Sequence, residues 1–311
     1  MNKNIPTLIQ LAYEIDIETS IIHSFPHPWG TNKAIGVMMQ DRQIILKRKN
    51  NVNNLENEIK ILSFLDKINI GNVEKVIKTK DNKYSINDEN QTWMAYHWII
   101  GCHVEDNLLN DAKLLGTILA NFHIQTYPLT THFINTDAID FNKLYYKINS
   151  SNRLEVDVKN LIIELFDKKV FSLKKNLRSL PMCIIHGDFN LENTIKSSNQ
   201  FFLIDFEFSR YASRITDLVS FFMRRDIKSG NFILCNEIFI KSFLESYISH
   251  VKHILPLTDK ESNLLNIYLL LHLIQIYCDI CHLEPQASLC IKFLEKLIHD
   301  NWLNETLVIN K

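Results

Sequence analysis

The sequence predicts an α+β protein of two parts: a small N-terminal lobe built on a β-sheet, residues 1–98, and a larger, mainly helical lobe, residues 99–311. Three observations predict it. Strand-like and helical stretches alternate through the first hundred residues, and from Asp111 onward the pattern turns helical. One short β-like stretch, 182–205, interrupts the helices, and there the charged and amide residues concentrate.

After an opening helix, residues 33–40 and 43–48 read as two strands joined by a tight turn at Asp41-Arg42. Leu55, Ile59, Leu62 and Leu65 then recur at helical spacing within 53–68. Strand character returns at 73–78 and at 92–100, the second closing on Gly101. In the larger lobe Leu114, Leu115, Ile118, Leu119 and Phe122 share one helical face, with Asp111 the expected N-cap. Further helices are expected at 153–176, 233–250, 262–283 and 287–300, the last two separated by Pro285. There are no repeats and no Pro-, Gly- or Ser-rich linker, so the division into lobes rests on the order of the elements.

The 311 residues are 46% apolar and 22% charged, the balance of a globular protein with a sizeable core. The net charge of -1 gives no bulk electrostatic attraction to nucleic acid or a membrane surface, and neither partner is expected. Glu14 and Asp16 break the first apolar stretch, so no secretory signal is read and a cytoplasmic location is expected. The most apolar stretch, 264–283, contains Asn266, His272, Gln275 and Asp279, which suits a core helix and not a lipid-facing span. The six cysteines are expected to stay reduced. Cys278-x-x-Cys281 has the spacing of half a zinc site, but it lies in an apolar helical stretch with no second pair, so a place in the core is expected.

Two apolar runs, 182–185 and 201–204, end in polar residues: His186-Gly187-Asp188 after the first, Asp205 after the second. Buried strands that end in carboxylates present acids at the mouth of a cleft. Asn193 lies between the runs, followed by Thr194-Ile195-Lys196 and a turn at Ser197-Ser198-Asn199-Gln200. A turn centred between Ser198 and Asn199 sets Asn193 opposite Ile204 and beside Asp205. Two oxygen-bearing side chains at that spacing suit one magnesium ion. Asp188 precedes Asn193 by five residues, the D-x-x-x-x-N spacing in which the aspartate orients an attacking hydroxyl and accepts its proton.

The first lobe offers matching parts. Lys47 ends the apolar run Ile44-Ile45-Leu46, and Glu58 lies beside Leu55, Ile59 and Leu62 on the helix face expected to be buried. A buried carboxylate needs a partner, and Lys47 is the expected one, a strand-lysine to helix-glutamate pair that holds nucleotide phosphates. Trp29-Gly30-Thr31-Asn32 precedes the first strand, where backbone N–H groups and a hydroxyl would meet phosphates; a plain turn explains it equally well. The segment 96–101 is the expected crossing between lobes, where adenine meets main-chain groups.

The segments 185–193 (Ile-His-Gly-Asp-Phe-Asn-Leu-Glu-Asn), 203–207 (Leu-Ile-Asp-Phe-Glu) and Asp217-Leu218 resemble the signature of the aminoglycoside phosphotransferase and choline kinase superfamily, whose fold is protein-kinase-like. Weaker likeness runs through Leu46-Lys47, Glu58, 98–101 and a helix ending Leu119-Ala120-Asn121-Phe122-His123. The resemblance implies ATP and Mg2+ as cofactors, Asp188 as catalytic base, and Asn193 and Asp205 as metal ligands. It also implies Lys47 and Glu58 as the phosphate-holding pair, His97 and Ile99 as main-chain adenine contacts, and Asp217 as a brace for the catalytic loop. The stretch 210–225 is similar to bacterial spore-coat kinase-like proteins. Two departures stand out: no G-x-G-x-x-G loop, which leaves Thr31 and Asn32 assigned by position alone, and Gly187 where protein kinases carry an arginine. Only eleven residues separate Asp205 from Asp217, too few for a long activation segment, which argues against a protein substrate. The expected function is a small-molecule kinase acting on a hydroxyl of an aminoglycoside, amino alcohol or sugar-like acceptor. The alternative is a non-catalytic nucleotide-binding or coat-structural protein that keeps the fold. Glu245, Asp279, Glu284 and Asp300 are the acids placed to meet a cationic acceptor, or plain surface acids.

Overall fold

The computed structural model describes residues 5–25, 34–49, 52–88, 91–127, 141–150, 156–167, 180–225 and 232–280. The chain begins α1 (Thr7–Ala12), β1 (Ile21–Phe25), β2 (Ala34–Met38), β3 (Gln43–Lys49), α2 (Val52–Lys67), β4 (Val76–Ile77), β5 (Ile86–Asp88), β6 (Gln91–His97) and β7 (Cys102–His103). Helices α3 (Leu109–Thr126), α4 (Phe141–Ser150) and α5 (Val156–Leu165) follow, then strands β8 (Met182–Ile185), β9 (Thr194–Ser197) and β10 (Gln200–Leu203). A 3-10 turn at Phe206–Phe208 leads to β11 (Arg210–Ser213), α6 (Ile215–Ser220), β12 (Met223–Arg225), β13 (Phe232–Leu234), α7 (Glu237–Val251) and α8 (Asp259–Ile280). The expected helix 287–300 and the 168–176 end of the expected helix 153–176 lie outside the described residues, as does Cys281.

Contacts divide the chain into two units: Met1–His103 with Thr194–Ser209, and Val104–Asn193 with Arg210–Lys311. The segment 194–209 thus groups with the first unit, whereas a division at 98/99 assigns it to the second. Backbone pairing is the reason. The Leu203 N–H donates to the Asn72 carbonyl at 2.8 Å, and the Leu203 carbonyl accepts from the Glu74 N–H at 2.9 Å. Asn72 adds a side-chain bond to the Phe201 carbonyl at 2.8 Å, and β9 pairs with β7.

The first unit is built on an antiparallel sheet in the order β1-β2-β3-β6-β4, with β5 also on β6. The β2 and β3 strands fall on the two stretches, 33–40 and 43–48, that the sequence predicts as strands, and the turn falls between them. β1 is mostly exposed and carries no such signal. On β3, Ile44 and Leu46 are buried and pack with Val37, Trp93 and Ala95 against Ile9, Ala12 and Tyr13 of the opening segment. Strand alternation sends Ile45, Lys47 and Lys49 to the opposite face.

In the second unit α3 and α7 approach so closely that a Cβ on Gly116 would stand 2.3 Å from the Phe243 carbonyl oxygen. Phe243 of α7 stacks on Phe221 at 3.8 Å, and Phe221 on Phe189 at 5.4 Å, so an aromatic column runs beneath the residue that follows Asp188. α3 starts at Leu109, with Leu108 in the N-cap position; Asp111, expected there, is buried within the first turn, its N–H already bonded to the Leu108 carbonyl. Arg214, fully buried, donates to both oxygens of Glu261 at 2.7 and 2.8 Å and to the Leu255 and Pro256 carbonyls. Glu261 also closes a reciprocal cap on α8: it accepts from the Thr258 N–H, and its own N–H donates to the Thr258 hydroxyl. Removing either charge strands the other in the core, at a cost of about 3 kcal/mol or more.

Among the described residues no helix is long and apolar enough to cross a membrane, and no group of three or more His, Cys, Asp or Glu is arranged to hold a metal.

Candidate active site

The 186–193 loop follows β8, a buried strand that pairs with β11. Gly187 takes a φ of 84°, a left-handed conformation that glycine adopts without a side-chain clash, and this turns the chain toward Asp188. Both oxygens of the Asp188 carboxylate accept amide bonds, Oδ1 from Asn190 at 3.0 Å and Oδ2 from Asn193 Nδ2 at 2.8 Å. Asn193 Nδ2 also donates to the Asp188 carbonyl at 2.8 Å, and the Asn193 N–H donates to Asn190 Oδ1 at 2.9 Å. The five-residue spacing therefore closes a small ring in which Asp188 and Asn193 are in direct contact.

Asp217, fully buried on α6, holds this loop from behind: its Oδ2 accepts from the His186 N–H at 2.8 Å and its Oδ1 from the Gly187 N–H at 2.7 Å. His123 Nε2 lies 3.0 Å from Asp217 Oδ2, and His123 Nδ1 lies 2.9 Å from the Tyr247 hydroxyl. Burial favours the neutral ring and outweighs Asp217, so the His123 pKa is lowered. Because Asp217 only accepts, Nε2 carries the proton and Nδ1 accepts from Tyr247. Burial alone would raise Asp217, but His123, His186 and the Gly187 N–H together hold it below the ordinary carboxylate value. The sequence pattern singles out Asp217 and the helix ending in His123, but gives no sign of Tyr247, which lies 124 residues beyond its partner.

The first unit carries a second charged cluster. Lys47 Nζ is 3.0 Å from Glu74 Oε2 and 3.5 Å from Asp205 Oδ1. Lys49 Nζ is 2.7 Å from Glu58 Oε1 and 4.0 Å from Asp205 Oδ1. Glu58 thus pairs with Lys49, and the expected Lys47–Glu58 pair is replaced by two pairs side by side. Alternation on β3 puts both lysines on one face, and the docking of α2 brings Glu58 to the farther of them. Tyr96 completes the group: its hydroxyl donates to Glu58 Oε1 at 2.8 Å, and its ring lies 4.8 Å from Lys47 Nζ and 5.6 Å from Lys49 Nζ. Burial pulls the Lys47 pKa down, but Asp205 and Glu74 outweigh it and hold the ammonium firmly charged. For Glu58 burial wins over Lys49, and its pKa is raised.

Glu74, buried between α2 and β4, is the residue the sequence reading missed. Its only signal is a charge inside the strand-like run 73–78. Pairing Glu58 with Lys49 also changes what its removal should do. Glu58→Gln leaves Lys47 with its own two partners and takes from Lys49 the charge of its nearest one while keeping an acceptor oxygen, so the expected result is a stability loss of about 1–3 kcal/mol in denaturant unfolding. An unchanged unfolding midpoint would show that the buried pair carries no such weight.

The β9–β10 hairpin has the expected register, Gln200 opposite Ser197 and Leu203 opposite Thr194. Asn193 directly precedes this hairpin and Asp205 follows it by two residues. Asp205 itself takes φ 68°, ψ 64°, and its side chain is 43% exposed. The His97 N–H donates to the Lys75 carbonyl at 3.0 Å and the Trp98 N–H to the Gln43 carbonyl at 3.2 Å; among the described residues the main chain of Ile99 makes no hydrogen bond. Trp29, Gly30, Thr31 and Asn32 lie outside the described residues, as do Glu284 and Asp300, and Glu245 is exposed on α7.

A family model described as a phosphotransferase enzyme family, APH, matches residues 37–239, well over half of the chain. No curated protein sequence gives a significant match. Among solved structures, an aminoglycoside phosphotransferase from Alicyclobacillus acidocaldarius is similar over 98% of this chain and 96% of its own, with a TM-score of 0.65 and 14% identity. An amicoumacin kinase in complex with AMP-PNP and Ca2+ is similar over 93% and 90% respectively, with a TM-score of 0.68 and 14% identity. A choline kinase from Cryptosporidium parvum Iowa II is similar over 99% and 96%, with a TM-score of 0.66 and 16% identity. Likeness at such identities speaks to the fold, which is the α+β fold of the protein-kinase-like phosphotransferases.

Proposed function

The chain belongs to the APH phosphotransferase enzyme family, and on that premise we propose that it transfers the γ-phosphate of ATP, with magnesium, to a hydroxyl of a small molecule. The observation that carries the reading is the Asp188–Asn193 ring. Asp188 stands fixed by two amides as an acceptor for the proton of the incoming alcohol. Both bonds of Asn193 to Asp188 use the amide nitrogen, which leaves its oxygen end for a cation.

The first unit supports the same reading through its charge balance. Three carboxylates, Glu58, Glu74 and Asp205, face two ammonium groups, and Asp205 is by far the most exposed of the three. The one negative charge in excess, with Asp205 the exposed carboxylate, would draw a hard divalent cation toward Asp205. Magnesium would take its protein ligands from Asn193 and Asp205, and when bound it neutralises charge on the nucleotide phosphates. Lys47, held by Glu74 and Asp205, would meet those phosphates; Glu58 would act indirectly, through Lys49. The base of the nucleotide would bond the main chain at His97 and Ile99, and Thr31 and Asn32 keep their role beside the phosphates on sequence position alone. The similar proteins act on an aminoglycoside, choline and amicoumacin by their names, which supports an aminoglycoside, amino alcohol or sugar-like acceptor here.

A screen of such alcohols with ATP and Mg2+, read by a gain of one phosphate mass, is expected to find at least one product that the Asp188→Asn protein does not make. Mass gain that appears equally with the variant would come from something other than this site.

A further inference from the structure

We propose that Glu74 is a positioning residue of the phosphotransfer site, one buried carboxylate that sets both the Asp205 side chain and the Lys47 ammonium. The inference rests on the reading above and deepens it. Glu74 is 4% exposed and uses both oxygens on different elements. Oε2 holds Lys47 of β3 at 3.0 Å, while Oε1 accepts from two successive N–H groups, Asp205 at 2.7 Å and Phe206 at 3.3 Å.

Asp205 sits in the left-handed region, with φ 68° and ψ 64°, where a non-glycine residue costs about 1 kcal/mol or more. Such a conformation persists when its surroundings over-determine it. Two consecutive N–H groups converging on one carboxylate oxygen form a small anion nest that does so. The effect is to bring the Asp205 carboxylate to 3.5 Å from Lys47 and 4.0 Å from Lys49. The backbone bonds of Leu203 to Asn72 and Glu74 already tie the segment down, so what the Glu74 carboxylate adds is the local conformation of Asp205 and the place of Lys47. A carboxylate with two clients is accounted for by what it aligns.

The test is ATP affinity by calorimetry with and without Mg2+, in the wild type and in Glu74→Ala, Glu74→Gln and Asp205→Asn, with thermal unfolding alongside. In Glu74→Ala the gain in affinity that Mg2+ confers is expected to shrink by about 10-fold or more, the scale for losing a residue that orients a metal ligand. Glu74→Gln keeps an oxygen for the two N–H groups and is expected to recover most of that gain. Should the alanine protein not fold, Glu74→Met fills a similar volume without an acceptor for those N–H groups and takes its place. A full magnesium gain in Glu74→Ala or Glu74→Met, beside its loss in Asp205→Asn, overturns the role of Glu74 and leaves the phosphotransfer reading intact. A full gain in Asp205→Asn removes the metal ligand itself, and the inference falls with the reading beneath it.

Discussion

Replacing Asp188 by asparagine is expected to lower phosphoryl transfer by about 10²-fold or more, the usual scale for a positioned proton acceptor, while ATP affinity changes little. Asparagine keeps the shape of the side chain but turns one accepting oxygen into a donor. Both oxygens of Asp188 receive amide bonds, from Asn190 and Asn193, so one of these becomes a donor facing a donor. The stability cost of that mismatch is about 1 kcal/mol, far below what the fold can lose before it unfolds. Single-turnover transfer to an acceptor found by the screen, set beside calorimetric ATP affinity, separates the two effects. Transfer at the wild-type rate in a folded Asp188→Asn protein would remove the proton acceptor from the mechanism and with it most of the case for an enzyme.

Removal of the Asp205 carboxylate is expected to abolish transfer and to split ATP binding by its metal dependence. Asp205 is an anion 3.5 Å from Lys47 and 4.0 Å from Lys49. Without it the two lysines face metal-free ATP with one competitor fewer, so that affinity should hold or rise. The gain conferred by Mg2+ should vanish, because the exposed carboxylate is the ligand lost. The choice of substitution matters. Alanine at the left-handed backbone of Asp205 adds a conformational cost of about 1–2 kcal/mol, whereas asparagine tolerates that region, so Asp205→Asn isolates the charge. Affinities measured with and without Mg2+ check this; an undiminished magnesium gain would exclude Asp205 as a ligand.

Much of this protein is legible without its structure because the relevant information is local. The strand-like runs and turn at 33–48, the helical period at 53–68 and the turn at 197–200 each depend on residues close along the chain, and the structure places strands, helix and hairpin register there. The α+β class follows from the order of those elements, and family membership from the motifs around Asp188, Asp205 and Asp217. The Asp188–Asn193 contact is local too: five residues in a tight loop leave few other ways for the two side chains to lie.

What the tertiary structure decided are the partners that meet across long separations. Lys47 and Lys49 are equivalent by alternation, and which of them Glu58 reaches depends on how far α2 slides along β3, a quantity set by packing and carried by no single residue. Glu74 meets Asp205 across 131 residues only because β10 docks beside the 72–74 segment, and the same pairing places 194–209 with the first unit. Tyr247 reaches His123 because Gly116 lets α3 and α7 approach closely. The sequence by itself determined the principal helices and the hairpins at 33–48 and 194–203, the family and the acids that end the strands, but not β1 or the short strands β11, β12 and β13; the tertiary structure decided how the charges pair. Hydrophobic burial is non-directional and fixes only that helices and strands pack, while each ion pair depends on ångström-scale offsets between packed elements.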